Sequence, residues 1–339
     1  MGIIMGKQIG IDLGTANTLI YQKGRGIVLR APSVVAIERA TNRLIATGEK
    51  AKKMLGKTPT NIVAYKPLRE GVIADIDVTT LMLNDFMRKT ELISLINRPA
   101  ALICVPQGVT TVEKRAVENA AYDAGAKTVA TMLEPMAAAI GSGLKVASRQ
   151  GCMIVDIGGG TTEVAMISCG GIVSSSSIRI AGDEFDNAIV RYIKNVYGVL
   201  IADVTAEQLK RRVGSAHPSA DVGAFEVVGR DLSNGLVAKI AVTSADVREA
   251  ISEQVSQVIS AILGTLEDAP PEISADIYDY GIMLSGGGSL IAGLDREISD
   301  RTTVRVTRSK RPFDAVCIGV GRAIDNEFSM KDIIDYRPR

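Results

Sequence analysis

One strand-and-turn pattern occurs in both halves of the sequence, and it constrains the fold more than any other feature. Short runs rich in β-branched residues, broken by glycine, occupy residues 7–37 and recur in residues 151–180. Such runs are typical of strands joined by tight turns. The two copies align residue by residue: Asp12 falls on Asp156, Gly14 on Gly158, Asn17 on Thr161, Thr18 on Thr162 and Gly26 on Gly170. The repeat is far too long for a solenoid, so it predicts two homologous domains.

Helical patterns follow each copy of the repeat. A capping box at Thr110 and Glu113 marks the start of one helix. Residues 183–197 carry apolar side chains at helical spacing, and a longer helix is expected from a Ser244 cap to about Leu266. Strands mixed with helices in this way predict an α/β protein with central sheets.

Composition and charge exclude several classes of protein. The 339 residues are 46% hydrophobic and 23% charged, which is a globular composition in a chain long enough for two domains. The formal net charge of +1 gives no bulk attraction to nucleic acid, so no nucleic-acid partner is expected. No apolar run reaches the ~18 residues of a membrane span, and the N-terminus lacks the features of a signal peptide, so a cytoplasmic location is expected.

The four cysteines do not suggest a metal site. Cys104, Cys152, Cys169 and Cys317 form no CxxC pair and no cluster with the single histidine. Each lies in or beside an apolar run. This pattern predicts reduced thiols in the core of a cytosolic protein.

The two repeated turns have the composition of a phosphate and metal site. The stretches DLGTANT (12–18) and DIGGGTTE (156–163) each place an aspartate at a strand end, followed by glycine and by hydroxyl side chains. Glycine lets the backbone N–H groups approach an anion, and two facing carboxylates suit a hydrated Mg²⁺ that bridges phosphate oxygens. A pair of ordinary tight hairpins is the alternative, and it is weaker because both turns occur in register.

Two further elements fit a nucleotide site. In LSGGGSLIAGL (284–294), the residues Gly286, Gly287 and Gly288 suit close approach to an adenosine, although a plain strand-to-helix turn would also use them. Glu134 precedes a helix of small residues between the two copies, where it could orient a water against the γ-phosphate together with Thr161. The alternative for Glu134 is a helix-start carboxylate favoured by the helix dipole. No GxxxxGK[ST] motif occurs.

Together these elements resemble the actin and sugar-kinase superfamily and, in detail, the MreB/Mbl family of bacterial actin homologues. The matching stretches are IDLGTANTLIY (11–21), GIVLRAPSVVAI (26–37), EPMAAAIG (134–141), VDIGGGTTEVAMIS (155–168), GDEFDNAI (182–189) and LSGGGSLIAGLD (284–295). The sequence departs from the family pattern at Ala181, in residues 311–324 and in residues 330–339.

The resemblance implies an actin-like α/β fold: two homologous RNase H-like α/β domains with a nucleotide cleft between them, each with a small inserted subdomain. Domain I is expected to comprise residues 1–145 and about 315–339, with its small subdomain at about 33–66. Domain II is expected at residues 146–314, with its small subdomain at about 182–245.

The resemblance also implies specific roles for residues. The phosphate and magnesium contacts would be Asp12, Gly14, Thr15, Ala16, Asn17, Asp156, Gly158, Gly159, Gly160 and Thr161, together with Gly182 and Asp183. Asp12 and Asp156 would hold Mg²⁺ through water, and Glu134 and Thr161 would be the catalytic pair. The adenosine contacts would be Glu207, Lys210, Gly286, Gly287 and Gly288. By spacing alone, Glu207 and Lys210 suggest a solvated salt bridge on one helix face.

The function implied by the resemblance is an ATPase whose ATP-dependent assembly gives double protofilaments and helps determine cell shape by organising wall synthesis. Such proteins lie at the inner face of the cytoplasmic membrane, where wall-synthesis membrane proteins are further partners. A small membrane-insertion patch is expected at Ile3, Ile4, Leu95 and Ile96, with Leu92 and Ile93 nearby; a packed helix end is the alternative.

Two other functions within the superfamily remain as alternatives. A small-molecule kinase should carry a sugar- or acid-binding aspartate in the cleft, and a chaperone-like ATPase should carry a separate peptide-binding domain. The sequence shows neither feature.

Overall fold

The structure, a computed structural model, describes residues 7–93, 98–326 and 334–336. Its strands are β1 (Gln8–Leu13), β2 (Asn17–Gln22), β3 (Gly26–Pro32), β4 (Val35–Glu38), β5 (Leu44–Thr47), β6 (Ile62–Tyr65), β7 (Leu68–Arg69), β8 (Val72–Ile73), β9 (Ala100–Val105), β10 (Thr128–Leu133), β11 (Cys152–Ile157), β12 (Thr162–Ser168), β13 (Gly171–Ile178), β14 (Val199–Leu200), β15 (Ala224–Asp231), β16 (Val237–Thr243), β17 (Ile282–Ser285), β18 (Val306–Arg308) and β19 (Asp335–Tyr336). Its helices are α1 (Glu49–Lys52), α2 (Ile76–Lys89), α3 (Thr111–Ala124), α4 (Glu134–Ser142), α5 (Gly182–Tyr197), α6 (Asp203–Val213), α7 (Ser244–Glu267), α8 (Pro271–Tyr280), α9 (Leu294–Thr302) and α10 (Ala315–Asp325).

Two large mixed sheets have the same strand order over five strands, which confirms the duplication. One sheet runs β19-β10-β9-β1-β2-β3, and the other runs β18-β17-β11-β12-β13. In each sheet, the three strands of the repeat, β1–β2–β3 or β11–β12–β13, are antiparallel neighbours. The first of the three also pairs in parallel with a later strand, β9 or β17. Even the register is conserved, because Asp12 lies opposite Leu19 in one sheet and Asp156 opposite Glu163 in the other.

A small antiparallel sheet accompanies each large one. Strands β5-β4-β6 follow the first repeat, and strands β14-β15-β16 follow the second. A short β7–β8 hairpin completes the described strands. The two-residue connection between β12 and β13, Cys169 and Gly170, has positive φ at both positions (51° and 79°), as a type I′ hairpin turn requires.

Helix starts follow the sequence closely. Thr110 caps α3 with the expected capping box, in which its N–H donates to Glu113 Oε2 at 2.8 Å. The expected Ser244 cap of α7 is wrong by one residue. Thr243 is the cap, because its hydroxyl accepts the N–H of Asp246 at 3.1 Å, whereas the Ser244 hydroxyl accepts the N–H of Val222.

The prediction for the cysteines is correct for two of the four. Cys104 and Cys317 are buried, Cys152 is half-buried and Cys169 is exposed, and none of the four forms a disulfide. Cys169 is outside the core because the tight β12–β13 turn places it at the surface.

Helices α4 and α10 pack tightly against each other between the two large sheets. Their side chains share one hydrophobic cluster with Leu102 of the first sheet and Ile154 of the second. The crossing is close enough that a Cβ on Gly141 would overlap the carbonyl oxygen of Ala315, and a Cβ on Gly319 would overlap that of Ala137. Glycine at these two positions lets the two helix backbones come into contact.

We propose the domain division expected from the sequence, with residues 1–145 and 315–339 in domain I and residues 146–314 in domain II. Two features support it. The first and second sheets have separate hydrophobic clusters beside the shared one. Helix α10 packs back on β1 and β2, and β19 pairs with β10, so the end of the chain returns to the first sheet.

Replacing Gly319 with alanine tests the helix crossing. We expect Gly319→Ala to lower the free energy of unfolding by about 2–4 kcal/mol, because the added methyl group overlaps the α4 backbone. Urea or thermal unfolding measures this change. Gly264→Ala on α7 is the matched control, since a Cβ there meets nothing within 4 Å. It should be neutral or stabilising by ~0.5–1 kcal/mol; equal losses in both variants would contradict the close crossing.

Candidate functional site

The predicted site residues lie where the parallel strands of both sheets end. Asp12 lies in β1 next to its end, Asp156 occupies the matching place in β11, Glu134 directly follows β10 and Gly286 directly follows β17. Open α/β sheets bind ligands at the carboxyl ends of their strands. The fold therefore gathers residues from four distant parts of the chain at one place.

The two glycine turns are in direct contact. A Cβ on Gly159 would lie 2.5 Å from the Cβ of Ala16, and a Cβ on Gly160 would lie 2.5 Å from Thr15 Oγ1. Side chains at either glycine would therefore push the turns apart. Hydrogen bonds also fix the shape of each turn. In the second turn the Gly158 N–H donates to the Thr161 carbonyl at 2.9 Å, and in the first turn the Gly14 carbonyl accepts from the Ser33 hydroxyl at 2.6 Å.

The two aspartates resist ionisation in the absence of a cation. Burial, followed by the charges of Asp156 and Asp314, raises the pKa of Asp12 to about 8. Burial raises the pKa of Asp156 to about 6, although the Ser285 hydroxyl donates a hydrogen bond that lowers it. A bound cation would relieve both penalties, so the two carboxylates fit a metal ion.

The described residues contain no group of three or more His, Cys, Asp or Glu side chains arranged to ligate a metal. A metal at Asp12 and Asp156 would therefore complete its coordination with water and ligand oxygens. Mg²⁺ binds in this way, since it keeps several waters and uses one or two carboxylates with substrate phosphates.

Glu134 is the first residue of α4 and lies near the same carboxylates. Burial, then the charges of Glu163, Asp12 and Asp156, raises the pKa of Glu134 well above its ordinary value. Thr161, its predicted partner, is 9% exposed at the second turn. These positions are compatible with the predicted water-orienting pair.

Sequence reasoning missed Glu163. Its side chain is only 1% exposed, and its carboxylate accepts hydrogen bonds from the Ser177 hydroxyl at 2.7 Å and from the Gln107 N–H at 3.2 Å. Burial raises the pKa of Glu163 to about 7. The repeat alignment contained a signal, because it places this glutamate on Leu19, a core residue of the first copy.

The turn at Glu70–Gly71, between β7 and β8, was also missed. The Gly71 N–H donates to Thr15 Oγ1 at 3.0 Å, and a Cβ on Gly71 would lie 2.8 Å from Thr161 Cγ2. One glycine thus contacts a threonine from each of the two predicted phosphate turns. No local sequence pattern indicates this contact.

The third glycine element packs against the end of β11. Cβ atoms on Gly286 and Gly288 would overlap the carbonyl oxygen and the side chain of Ile157, respectively, whereas Gly287 is exposed. Packing therefore requires glycine at two of the three positions, which agrees with the alternative of a plain strand-to-helix turn. The element nevertheless lies beside the second turn, since Ser285 is the strand neighbour of Asp156.

The start of α5 is attached to the second turn. The N–H groups of Gly182 and Asp183 donate to the carbonyls of Gly158 and Gly159 at 3.2 and 2.8 Å. Both residues thus lie beside the second turn.

Glu207 and Lys210 lie on α6 but have separate ion-pair partners. Lys210 Nζ donates to the Gly182 carbonyl at 2.6 Å and pairs with Asp186 at 2.8 Å. Glu207 pairs with Lys52 and with Arg211, each at 2.8 Å. Lys210 therefore reaches the second turn, whereas Glu207 joins α6 to α1.

The predicted membrane residues Ile3, Ile4, Leu95 and Ile96 lie outside the described residues. Of their neighbours, Leu92 is fully buried in the core and so is not available for a surface patch. Within residues 7–93, 98–326 and 334–336, no helix combines the length and apolar character needed to cross a bilayer.

Comparisons with known proteins agree with this fold. The family described as MreB/Mbl protein matches residues 6–332. The cell shape-determining protein Mbl of Bacillus subtilis (strain 168) is 47% identical over 320 residues, which cover 94% of this chain and 96% of that protein. The crystal structure of MreB 5 of Spiroplasma citri bound to AMPPNP is 35% identical in sequence and superposes with a TM-score of 0.91. The match covers 98% of this chain and 99% of the Spiroplasma citri chain.

A structure of the MamK double helical filament also matches, with a TM-score of 0.80. The match covers 94% of this chain and 99% of the MamK chain. At 23% identity it supports the fold alone. Fold and paired turns thus define an actin-like protein. The chain belongs to the MreB/Mbl family, and the small-molecule kinase alternative is not favoured.

The raised pKa of Asp12, a half-buried aspartate, predicts a pH dependence of stability. The folded-state pKa of Asp12, about 8, exceeds its ordinary value of 3.8, so the carboxylate destabilises the nucleotide-free, metal-free fold increasingly as pH rises between these values. We expect Asp12→Asn to stabilise this form by roughly 1–3 kcal/mol at about pH 8 and much less at about pH 4. Thermal unfolding in EDTA at both pH values measures the difference.

Asp246→Asn serves as a control of opposite sign. Burial raises the pKa of Asp246, but hydrogen bonds from Thr243, Tyr197 and Tyr192 more than offset this and set the pKa below its ordinary value. Its charge therefore stabilises the fold above the unfolded pKa, and this contribution is lost as pH falls through the folded pKa. Asp246→Asn should be destabilising at about pH 8; a loss of similar size from Asp12→Asn would contradict the burial of an unpaired Asp12.

Proposed function

We propose that this protein binds ATP with Mg²⁺ between its two halves, hydrolyses it, and assembles in an ATP-dependent way into filaments that help determine cell shape. The observation that carries this proposal is the contact between the two glycine turns, which brings Asp12 and Asp156 together. Membership of the MreB/Mbl family and the AMPPNP-bound relative support the same reading.

The phosphates would bind to backbone N–H groups of the two turns. The residues proposed for this are Gly14, Thr15, Ala16 and Asn17 in the first turn, and Gly158, Gly159, Gly160 and Thr161 in the second. Glycine leaves these N–H groups accessible to an anion. Gly182 and Asp183 would support the second turn, and Gly286–Gly288 with Glu207 and Lys210 would line the adenosine side.

Asp12 and Asp156 would hold Mg²⁺ through water. The ion would supply positive charge that offsets the negative charge of the phosphates. The raised pKa values of both aspartates support this role, because a cation would stabilise the ionised carboxylates. Asp156 would be held in place by its hydrogen bond from Ser285.

Hydrolysis would depend on positioning a water at the γ-phosphate. We assign Glu134 and Thr161 to the positioning of this water. Glu163 is a further carboxylate near Glu134, held by hydrogen bonds from Ser177 and Gln107. Phosphoryl transfer needs mainly alignment and charge stabilisation, so a residue that orients water without removing a proton is sufficient. Burial of Glu134 favours its neutral form and hence an orienting role.

Filament assembly would follow from the two-domain design. Two rigid halves that close on a nucleotide can change their relative angle when the γ-phosphate leaves. Head-to-tail stacking of such subunits gives an open filament, and pairing of two protofilaments is expected from the family. We further infer association with the inner face of the membrane and with wall-synthesis proteins, and this part rests on the family and on the apolar residues near the N-terminus.

Sedimentation tests binding and assembly together. We expect the protein to pellet with Mg²⁺ and ATP and to remain in the supernatant without nucleotide. Gly159→Ala should weaken ATP binding by roughly 10-fold or more and abolish pelleting, because its methyl group separates the two turns. Gly171→Ala is the matched control, as its nearest neighbour would be 3.9 Å away. Protein that scatters light as a monomer under all nucleotide conditions would rule out the filament.

Replacing Glu134 separates hydrolysis from binding. We expect Glu134→Ala to slow phosphate release by about 10- to 100-fold while ATP affinity stays within about 3-fold, because the side chain contacts the reacting water and not the bound nucleotide. Glu272→Ala, at the exposed start of α8, controls for loss of a helix-start carboxylate. Equal losses of binding and turnover would show that Glu134 is structural.

A further inference from the structure

Two lysines of the first half form ion pairs with carboxylates of the second half. Lys52 Nζ lies 2.8 and 3.1 Å from the two carboxylate oxygens of Glu207. Lys66 Nζ lies 2.8 Å from both carboxylate oxygens of Asp183. Each lysine thus contacts both oxygens of one carboxylate that is distant in the chain.

The paired residues belong to elements that pack within different halves of the protein. Lys52 ends α1, which packs on the small sheet β5-β4-β6, and Lys66 directly follows β6. Glu207 lies on α6 and Asp183 on α5, and these helices pack on each other and on α7. Each pair therefore spans from the small sheet of the first half to the helices of the second.

Both ion pairs are sufficiently shielded from solvent to stabilise the contact between the two halves. The side chains are 29% and 22% exposed for Lys52 and Glu207, and 35% and 33% for Lys66 and Asp183. Ion pairs exposed beyond about half are screened by water and salt and contribute little, whereas partly buried pairs retain more of their attraction. The Arg179–Glu70 pair, 63% and 55% exposed, is of the weaker kind.

The Glu207 carboxylate favours its charged form, and the Asp183 backbone is held in place by a hydrogen bond. Burial raises the pKa of Glu207, but the hydrogen bond and charge of Lys52 and the charges of Arg211 and Lys210 bring it below its ordinary value. Asp183 is fixed from the other side, because its N–H donates to the Gly159 carbonyl at 2.8 Å. The Lys66–Asp183 pair therefore connects the first half directly to the second glycine turn.

We propose that Lys52–Glu207 and Lys66–Asp183 form a strap across the mouth of the nucleotide cleft, and that opening this strap limits the rate at which nucleotide leaves. An ion pair that exists only while the halves are together shifts the equilibrium towards the closed form by its own free energy. A nucleotide between the turns can leave only from the open form, so a weaker strap gives faster release. This inference rests on the proposed nucleotide site.

The test is the release rate of a fluorescent ADP analogue, chased with excess ADP in a stopped-flow instrument. Lys52→Glu and Lys66→Glu should each speed release about 3- to 10-fold, because each replaces an attraction across the cleft by a repulsion. Lys50→Glu is the matched control: it makes the same charge change on the exposed side of α1, where no described residue forms an ion pair with Lys50. Its release rate should equal that of the parent protein.

Charge exchange separates the strap from a direct nucleotide contact. The double variant Lys52→Glu/Glu207→Lys should release the analogue more slowly than the single variant Lys52→Glu, because the attraction across the cleft is restored with reversed sign. If Glu207 acted only on the adenosine, Lys52→Glu would be silent and the exchange would not rescue Glu207→Lys. Raising the KCl concentration should speed release from the parent protein and have less effect on a Lys52→Glu/Lys66→Glu variant.

The outcomes separate the strap from the proposed function. Unchanged release from folded Lys52→Glu and Lys66→Glu proteins, with normal analogue binding, overturns the strap and leaves the nucleotide site intact. A parent protein that binds no analogue overturns the proposed function and the strap with it. Unfolding midpoints of every variant show whether it is folded, and if one lysine variant fails to fold, the other still decides the question.

Discussion

The contact between the two glycine turns is the constraint on which the rest of the structure depends. Gly159 and Gly160 meet Ala16 and Thr15 so closely that no side chain fits at either glycine. This contact fixes the distance between the two halves and therefore between Asp12 and Asp156. Burial, followed by the charges of Asp156 and Asp314, raises the pKa of Asp12, so the same place also favours a cation.

A second close contact, far from the turns in the chain, determines how the halves are joined. Helices α4 and α10 cross with Gly141 and Gly319 at the contact, between the two sheets. Glu134 begins α4, so the residue assigned to water positioning belongs to a helix of this crossing. A change in the angle between the halves would therefore act on Glu134 through one rigid element.

Charge is distributed differently inside the site and around its mouth. Inside, Asp156 and Glu163 are buried and Asp12 and Glu134 are half-buried, and desolvation raises the pKa of all four carboxyl groups. Their ionised forms are therefore unfavourable until a cation offsets the charge. At the mouth, carboxylates are paired with lysines from the opposite half. The interior thus favours binding of a cation with its anionic ligand, while the mouth favours closure over it.

The sequence by itself determined the parts of this protein that depend on local pattern. The repeat predicted the three-strand unit of each sheet, with Asp12 and Asp156 at matching positions, and the capping box predicted the start of α3. Both are set by residues near one another in the chain. Only the tertiary structure decided the roles of Glu163, Gly71 and Lys52. Each has a partner 56 or more positions away along the chain, and hydrophobic or turn periodicity carries no information over such separations. The α7 cap differs from expectation because the Ser244 hydroxyl accepts a hydrogen bond from Val222, which the pattern around α7 does not reveal. Cys169 differs because a tight hairpin turn places it at the surface in spite of the apolar run beside it.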